Sequence, residues 1–315
     1  MTNAISKGAT DPRRFHQQCF FYRSAREGFG DFLRHAFDAG VTVALPAFIG
    51  WSPREGSGVF DPIRGSQARP AFYALNPDLT IDLASLEEVL STQGCRVLVV
   101  LHYFGRTEPR MAAVRQLADQ HSVILVEDLA HGFYSWAIGG AAGRWGEAAL
   151  FSLHKMFPRQ DGGMMLYRDA ALISGQRETA PDLARFVLEY DWFAIAAARR
   201  SNFAAILQRL CSSSQLERGF RLLWPTLAPD DVPQTLPIRL LTADRDAVYH
   251  CMNADGFGMT SLYHTLIEEV RTAFPDMIAL SQSIINFPVH QDIDPAAIGA
   301  MLQSFEAALA ATGSE

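Results

Sequence analysis

Lysine is nearly missing from this 315-residue chain: of its 27 basic residues only Lys7 and Lys155 are lysine, and the rest are arginine. Long apolar runs are missing as well. Nothing approaches the ~20 uninterrupted apolar residues of a membrane-spanning helix. The opening stretch MTNAISKGATDPRR lacks the apolar core of a secretory signal, so the expected location is the cytoplasm. The four cysteines, Cys19, Cys95, Cys211 and Cys251, form no CxxC pair and no metal-ligand spacing. They read as reduced and structural, with no metal site expected. The net charge of −7 comes without any basic stripe, which argues against a nucleic-acid partner. No repeat and no low-complexity tract is present.

What is present is ordinary for a globular enzyme: 49% hydrophobic and 19% charged residues. The length suggests about two domains. Against that background the placement of the two lysines matters. Arginine replaces lysine well in surface ion pairs, but guanidinium stays charged and cannot attack a carbonyl. Lys7 lies in the polar N-terminal stretch, whereas Lys155 lies in an otherwise apolar region. A chain so poor in lysine needs a chemical reason to keep one there.

Ser24 and Glu27 have the spacing of a capping box, and an apolar pattern follows to Gly40. Residues 41–45, 96–101 and 123–126 then read as buried strands, separated by helical patterns at 82–91 and 109–120. Residues 148–152 and 163–167 read as two further strands around a turn at Asp161-Gly162-Gly163. Alternation of this kind predicts an α/β fold with a mostly parallel sheet wrapped by helices, its chemistry at the carboxyl ends of the strands. Residues 180–212 look helical. A strand is expected at 237–241, a helix from 243 and a last helix over 295–311. The expected division is an arm at 1–18, a large α/β domain at 19–170, a helical connection at 171–232 and a small α+β domain at 233–315.

Three features fall where such a sheet puts chemistry. They are Glu127-Asp128 at the end of ILVED, Ser152-Leu153-His154-Lys155 after AALFS, and the Asp161-Gly162-Gly163 turn. The acidic pair admits two readings, a functional carboxylate or a core hydrogen bond. Pyridoxal phosphate requires an amine for its Schiff base, a carboxylate at its pyridine nitrogen and a cradle for its phosphate. Lys155, Asp128, and the Ser24-capped helix together with Ser152 can supply these three.

The stretches LPAFIGW, YALNPDLTIDLASLEEVL, VLVVLHYFG, ILVEDLAHG and GRWGEAALFSLHKMFPRQDGGMMLY, with LSQSIINFPVHQDID near the end, resemble the DegT/DnrJ/EryC1/StrS aminotransferases. The resemblance runs from about residue 19 to the end and is most specific over 124–167. It implies fold type I of the pyridoxal phosphate enzymes, with a seven-stranded type of sheet and a homodimer with active sites at its interface. It further implies L-glutamate as amino donor and a keto sugar or other small keto compound as acceptor. Residue by residue, it implies Lys155 as the aldimine lysine, Asp128 as the pyridinium partner and His131 beside the phenolic oxygen. Ala130 and Phe48 are implied on the two ring faces. Ser152 and the N–H groups of Ala25 and Arg26 are implied at the phosphate, joined by Asn202 from the neighbouring subunit.

The sequence also departs from that family. It is shorter at its N-terminus than typical members, Ser-Ala-Arg replaces Ser-Gly-Thr, and the Ser152–Lys155 spacing is short. Arg26 is left between a phosphate or substrate contact and a solvated helix end. His102, Tyr103, His154, Trp51 and His264 are left between site and packing roles, and Arg199 with Arg200 between an anion site and a solvated face. Another pyridoxal phosphate reaction, such as elimination, racemisation or condensation, and a non-catalytic protein of the same fold remain as alternatives to transamination.

Overall fold

A computed structural model describes residues 15, 18–54, 56–173, 175 and 177–312. Lys7 and most of the expected N-terminal arm lie outside them. In chain order the elements are β1 (Cys19–Tyr22), α1 (Ala25–Ala36), β2 (Thr42–Pro46), α2 (Phe60–Gly65), β3 (Arg69–Tyr73), α3 (Leu83–Thr92), β4 (Val97–Leu101) and α4 (Met111–Gln120). There follow β5 (Ile124–Asp128), α5 (Phe133–Ala137), β6 (Ala148–Ser152), β7 (Gly163–Tyr167), α6 (Leu183–Leu188) and α7 (Trp192–Cys211). The remainder is β8 (Phe220–Leu222), β9 (Thr235–Leu240), α8 (Arg245–Ala254), α9 (Glu268–Arg271), α10 (Pro275–Ser283), β10 (Ile284–Pro288) and α11 (Ile298–Thr312).

The apolar runs behave as buried strands. β2, β4, β6 and β7 are buried at every position, as expected of strands covered on both faces. They form a seven-stranded sheet in the order β1-β7-β6-β5-β4-β2-β3. All neighbours from β3 to β6 are parallel, and β7 runs antiparallel to both β6 and β1. A second, antiparallel sheet has the order β10-β9-β8. Its core gathers on Phe305, whose ring meets Phe220 at 5.4 Å and Phe287 at 5.0 Å. Among the described residues no helix is long and apolar enough to cross a membrane.

Several elements gave no adequate sequence signal. β1 is only four residues, CFFY, and β3 contains Arg69 and Pro70, which mask its apolar half. β10 looked like a motif rather than a strand. α1 stops at Ala36, four residues before the apolar pattern ends, where Phe37 turns extended at φ −142° and ψ 155°, and Gly40 at φ 84° then leads into β2. The capping box at its start is shifted by one residue. Ser24 Oγ accepts the Glu27 N–H at 3.2 Å, and the Glu27 carboxylate accepts from Arg23 N–H rather than from Ser24.

Two contacts decide where the chain brings its ends together. The first is the Gly162-Gly163 turn. Gly162 has φ 122° and its N–H donates to Arg23 O at 2.7 Å. Gly163 faces the Ser24–Ala25 backbone so closely that a Cβ would stand 2.2 Å from Ala25 N and 2.3 Å from Ser24 C. The start of α1 therefore rests on the β6–β7 hairpin. The second contact joins the later half to the large sheet. Trp51 N–H donates to Thr265 O at 2.9 Å and Ile267 N–H to Ile49 O at 3.0 Å, so residues 265–267 run antiparallel to 49–51.

Gly163→Ala is expected to cost about 3 kcal/mol, at the upper end of overpacking, because backbone and not a flexible side chain must give way. Gly58, which has open space at its Cβ position, is the control, with Gly58→Ala expected to stay within ~0.5 kcal/mol of the parent. Urea unfolding of the two variants checks this, and equal stabilities would refute the close approach.

Candidate active site

The parallel register brings the ends of β4 and β5 level, Leu101 with Asp128, and carries β6 two residues beyond them, since Asp128 pairs with Leu150 and β6 ends at Ser152. At this edge lies a cavity of about 620 Å³. Lys155, Asp128, Ala130, His131, Ser152, Ala25 and Arg26 all line it. Ser152 closes β6 and pairs with Gly163, and Gly163 touches the Ser24–Ala25 backbone. The hydroxyl and the helix start thus lie side by side. Lys155 ends the short 3-10 turn that follows Ser152.

The two acids have separate tasks. Glu127 is fully buried and accepts from Trp145 N–H and Gly146 N–H at 2.7 Å each, from Gly143 N–H at 2.8 Å and from His102 Nε2 at 2.9 Å. Burial pushes its carboxyl up, but His102 and the glycine N–H groups more than offset this and hold it below the ordinary value of 4.5. It is a core anchor that ties the 143–146 loop to β5. Asp128 faces the cavity. Its Oδ1 accepts from Ala130 N–H at 2.8 Å, and burial raises it, partly offset by that N–H and by nearby Lys155 and His102.

His131 stands 3.3 Å from Lys155, Nε2 to Nζ, while its Nδ1 accepts the Phe104 N–H at 3.2 Å. Burial, with Lys155 and His154 nearby, holds it well below the ordinary histidine value, so the ring is neutral. His154 Nδ1 is 3.1 Å from Ser152 Oγ and also lines the cavity.

The N-terminus of α1 opens onto the same cavity through Ser24, Ala25 and Arg26. The first N–H groups of a helix have no partner within it and favour an anion. Arg26 extends to Asp61 at 3.2 Å, and Asp61 also accepts the Ser57 N–H at 3.0 Å. Through Asp61 the guanidinium therefore holds residues 56–58, which line one wall of the cavity.

Two expected site residues are not in the cavity. Phe48 is fully buried, and its ring packs on Tyr263 at 5.4 Å and Tyr103 at 5.7 Å. Tyr263, against which the Phe48 ring packs, lines the cavity instead. Asn202 is buried in α7 and donates to His290 O of its own chain at 2.8 Å. That bond engages the amide expected to reach a neighbouring subunit.

His102 and Tyr103 are structural, the first bound to Glu127 and the second donating to Phe48 O at 2.6 Å. Trp51 and His264 line the cavity. Arg199 is buried rather than solvated, with Nε on Gln291 Oε1 at 3.0 Å and its guanidinium over the Tyr134 ring at 5.1 Å. Tyr263 and Phe104 were missed. Both are non-glycine residues with positive φ, 59° and 54°, which sequence periodicity does not report.

The donor set fits pyridoxal phosphate: an amine, a buried carboxylate at a strand end, and a helix N-terminus beside a serine hydroxyl in one cavity.

Residues 57–179 match the model of the DegT/DnrJ/EryC1/StrS aminotransferase family. A curated relative, the L-glutamine:2-deoxy-scyllo-inosose aminotransferase of Streptomyces paromomycinus, is 33% identical over 111 residues. That match covers 34% of this chain and only 26% of the relative. Among solved structures, an aminotransferase from Psychrobacter cryohalolentis superposes with a TM-score of 0.76 at 16% identity, over 95% of this chain and 89% of that one. A Bacillus subtilis protein solved with the cofactor PMP bound gives 0.69 at 15% identity, over 93% and 73%. The fold is that of these enzymes.

The depressed Glu127 carboxyl fixes a sign for acid stability. Ionised Glu127 stabilises the fold above the ordinary value of 4.5, and that contribution is lost as pH falls below 4.5 towards its lower folded value. Glu127→Gln is expected to cost about 3 kcal/mol at pH 7 and to flatten the loss of stability below pH 4.5. Urea unfolding at neutral and acid pH measures both, and an unchanged variant would remove Glu127 as anchor.

Proposed function

We propose, from the match of residues 57–179 to the DegT/DnrJ/EryC1/StrS aminotransferase family model, that the protein is a pyridoxal phosphate-dependent aminotransferase acting on a small keto sugar or keto cyclitol. The observation that carries the proposal is the meeting of Lys155, Asp128 and the α1 N-terminus in one cavity. When bound, the cofactor supplies an electron sink that stabilises negative charge on the carbon next to nitrogen.

The residues of the chain divide that work. Lys155 Nζ would be the covalent anchor and would serve as the base that carries a proton to and from the substrate carbon. The Asp128 carboxylate holds a proton on the ring nitrogen. Its buried position strengthens that charge pairing, because little water competes with it. Ser152 and the first N–H groups of α1 bind the phosphate. Ala130 and Tyr263 line the cavity where the ring would sit, and His131 would stand beside its oxygen.

Trp51, Arg54 and His264 line the same cavity and are assigned to the acceptor. The name of the Streptomyces paromomycinus relative supports a polyhydroxylated cyclic ketone there, with L-glutamine as a donor to test beside L-glutamate. We assign a homodimer on the resemblance alone.

Purified protein mixed with pyridoxal phosphate is expected to gain a visible absorbance band that Lys155→Ala lacks. L-Glutamine or L-glutamate is expected to convert that band to the pyridoxamine form. Turnover in Lys155→Ala is expected to fall roughly 10³-fold or more. A protein that never takes up the cofactor would end the proposal. A band indifferent to every amino donor would leave a different pyridoxal phosphate reaction.

A further inference from the structure

Two residues in left-handed backbone conformations meet around His131. Phe104, at φ 54° and ψ 21°, presents its N–H to His131 Nδ1 at 3.2 Å. Its ring lies parallel to the imidazole, 6.1 Å away at 11°. Tyr263, at φ 59°, meets the imidazole edge-on at 6.0 Å and 74°, and meets Phe104 at 5.6 Å. Such conformations are costly for aromatic residues and persist only where surrounding contacts hold them. Here Gly105, at φ 90°, has Val232 O where a Cβ would be, at 2.5 Å, and Phe104 O accepts from Gln234 N–H at 2.8 Å. On the other side Ser281 Oγ donates to Tyr263 O at 2.8 Å.

The donor count then has one solution. A neutral imidazole has one N–H and one lone pair. With Nδ1 accepting from Phe104, the proton sits on Nε2, the atom facing Lys155 Nζ at 3.3 Å. An N–H pointed at an ammonium would set donor against donor.

We propose that Phe104 is a positioning residue: its left-handed N–H fixes His131 as the Nε2–H tautomer, and that N–H in turn donates to Lys155 and keeps the amine unprotonated for cofactor capture. The capture step is a condensation in which the Lys155 nitrogen bonds to the aldehyde carbon and one water leaves. An ammonium has no lone pair for it, so the fraction of neutral amine sets the rate. The groups sharing the cavity with Lys155 are Asp128 from β5, His154 from its own turn, Arg26 from α1, Arg54 from the 51–58 loop, and Tyr249, Tyr263 and His264 from the later half. Asp128 opposes the effect by attracting a proton to Lys155, but burial weakens its hold on the ionised form. This inference rests on the cofactor anchor proposed above.

The test uses the full chain carrying Lys7→Arg, which leaves Lys155 as its one lysine. Nitrogen-15 spectra of the cofactor-free, histidine-labelled protein are expected to show His131 with a bare Nδ1 and a protonated Nε2. An Nδ1–H tautomer would overturn the proposal without any variant. The pH profile of pyridoxal phosphate uptake is read in parallel. His131→Leu is expected to shift the midpoint upward by about one pH unit, a tenfold loss of neutral amine. A Leu variant with the parental midpoint would overturn the proposal. If no chain takes up the cofactor at any pH, the proposed function fails, and the histidine spectra still decide the tautomer.

Discussion

The closeness of Gly163 to the Ser24–Ala25 backbone governs the rest of this molecule. No side chain fits between them, so the β6–β7 hairpin and the start of α1 must lie against each other. Because Ser152 pairs with Gly163, that contact also puts its hydroxyl next to the open N–H groups of the helix. Lys155 follows Ser152 by three residues, too short a span to leave the neighbourhood. One glycine contact thereby places a helix N-terminus and a serine hydroxyl beside an amine.

The carboxylates complete the arrangement by a division of labour within two adjacent residues. Successive strand residues point to opposite faces of the sheet. Glu127 therefore turns into the protein and binds the 143–146 loop, while Asp128 turns to the cavity. Glu127 is satisfied by four donors and stays ionised in the core. Asp128 keeps fewer donors and is left poised for a cationic partner.

The sequence made the centre of the site legible because its residues are scarce or positionally marked. Lys155 was exposed by the rarity of lysine, Asp128 by closing an apolar strand, and Gly163 by a turn signal. β6 and β7 begin and end where their apolar runs do. The walls were harder to read. Phe48 sits beside the cavity in sequence but behind Tyr263 in space, and Tyr263 arrives from 215 positions further along the chain. Its approach depends on the pairing of 265–267 with 49–51, a long-range contact without local signature. Positive φ at Phe104 and Tyr263 is likewise a product of tertiary contacts and not of local preference. Asn202 and Arg199 looked like polar groups available to ligands, but both are consumed by the 290–291 segment.

The central claim is that Lys155 anchors the cofactor, and the near absence of lysine makes it directly measurable. The protein is incubated with pyridoxal phosphate, reduced with borohydride, digested and mapped by mass spectrometry. The account predicts one phosphopyridoxyl group per chain, on the peptide containing Lys155. Label on Lys7 alone, or no label at saturating cofactor, would contradict it.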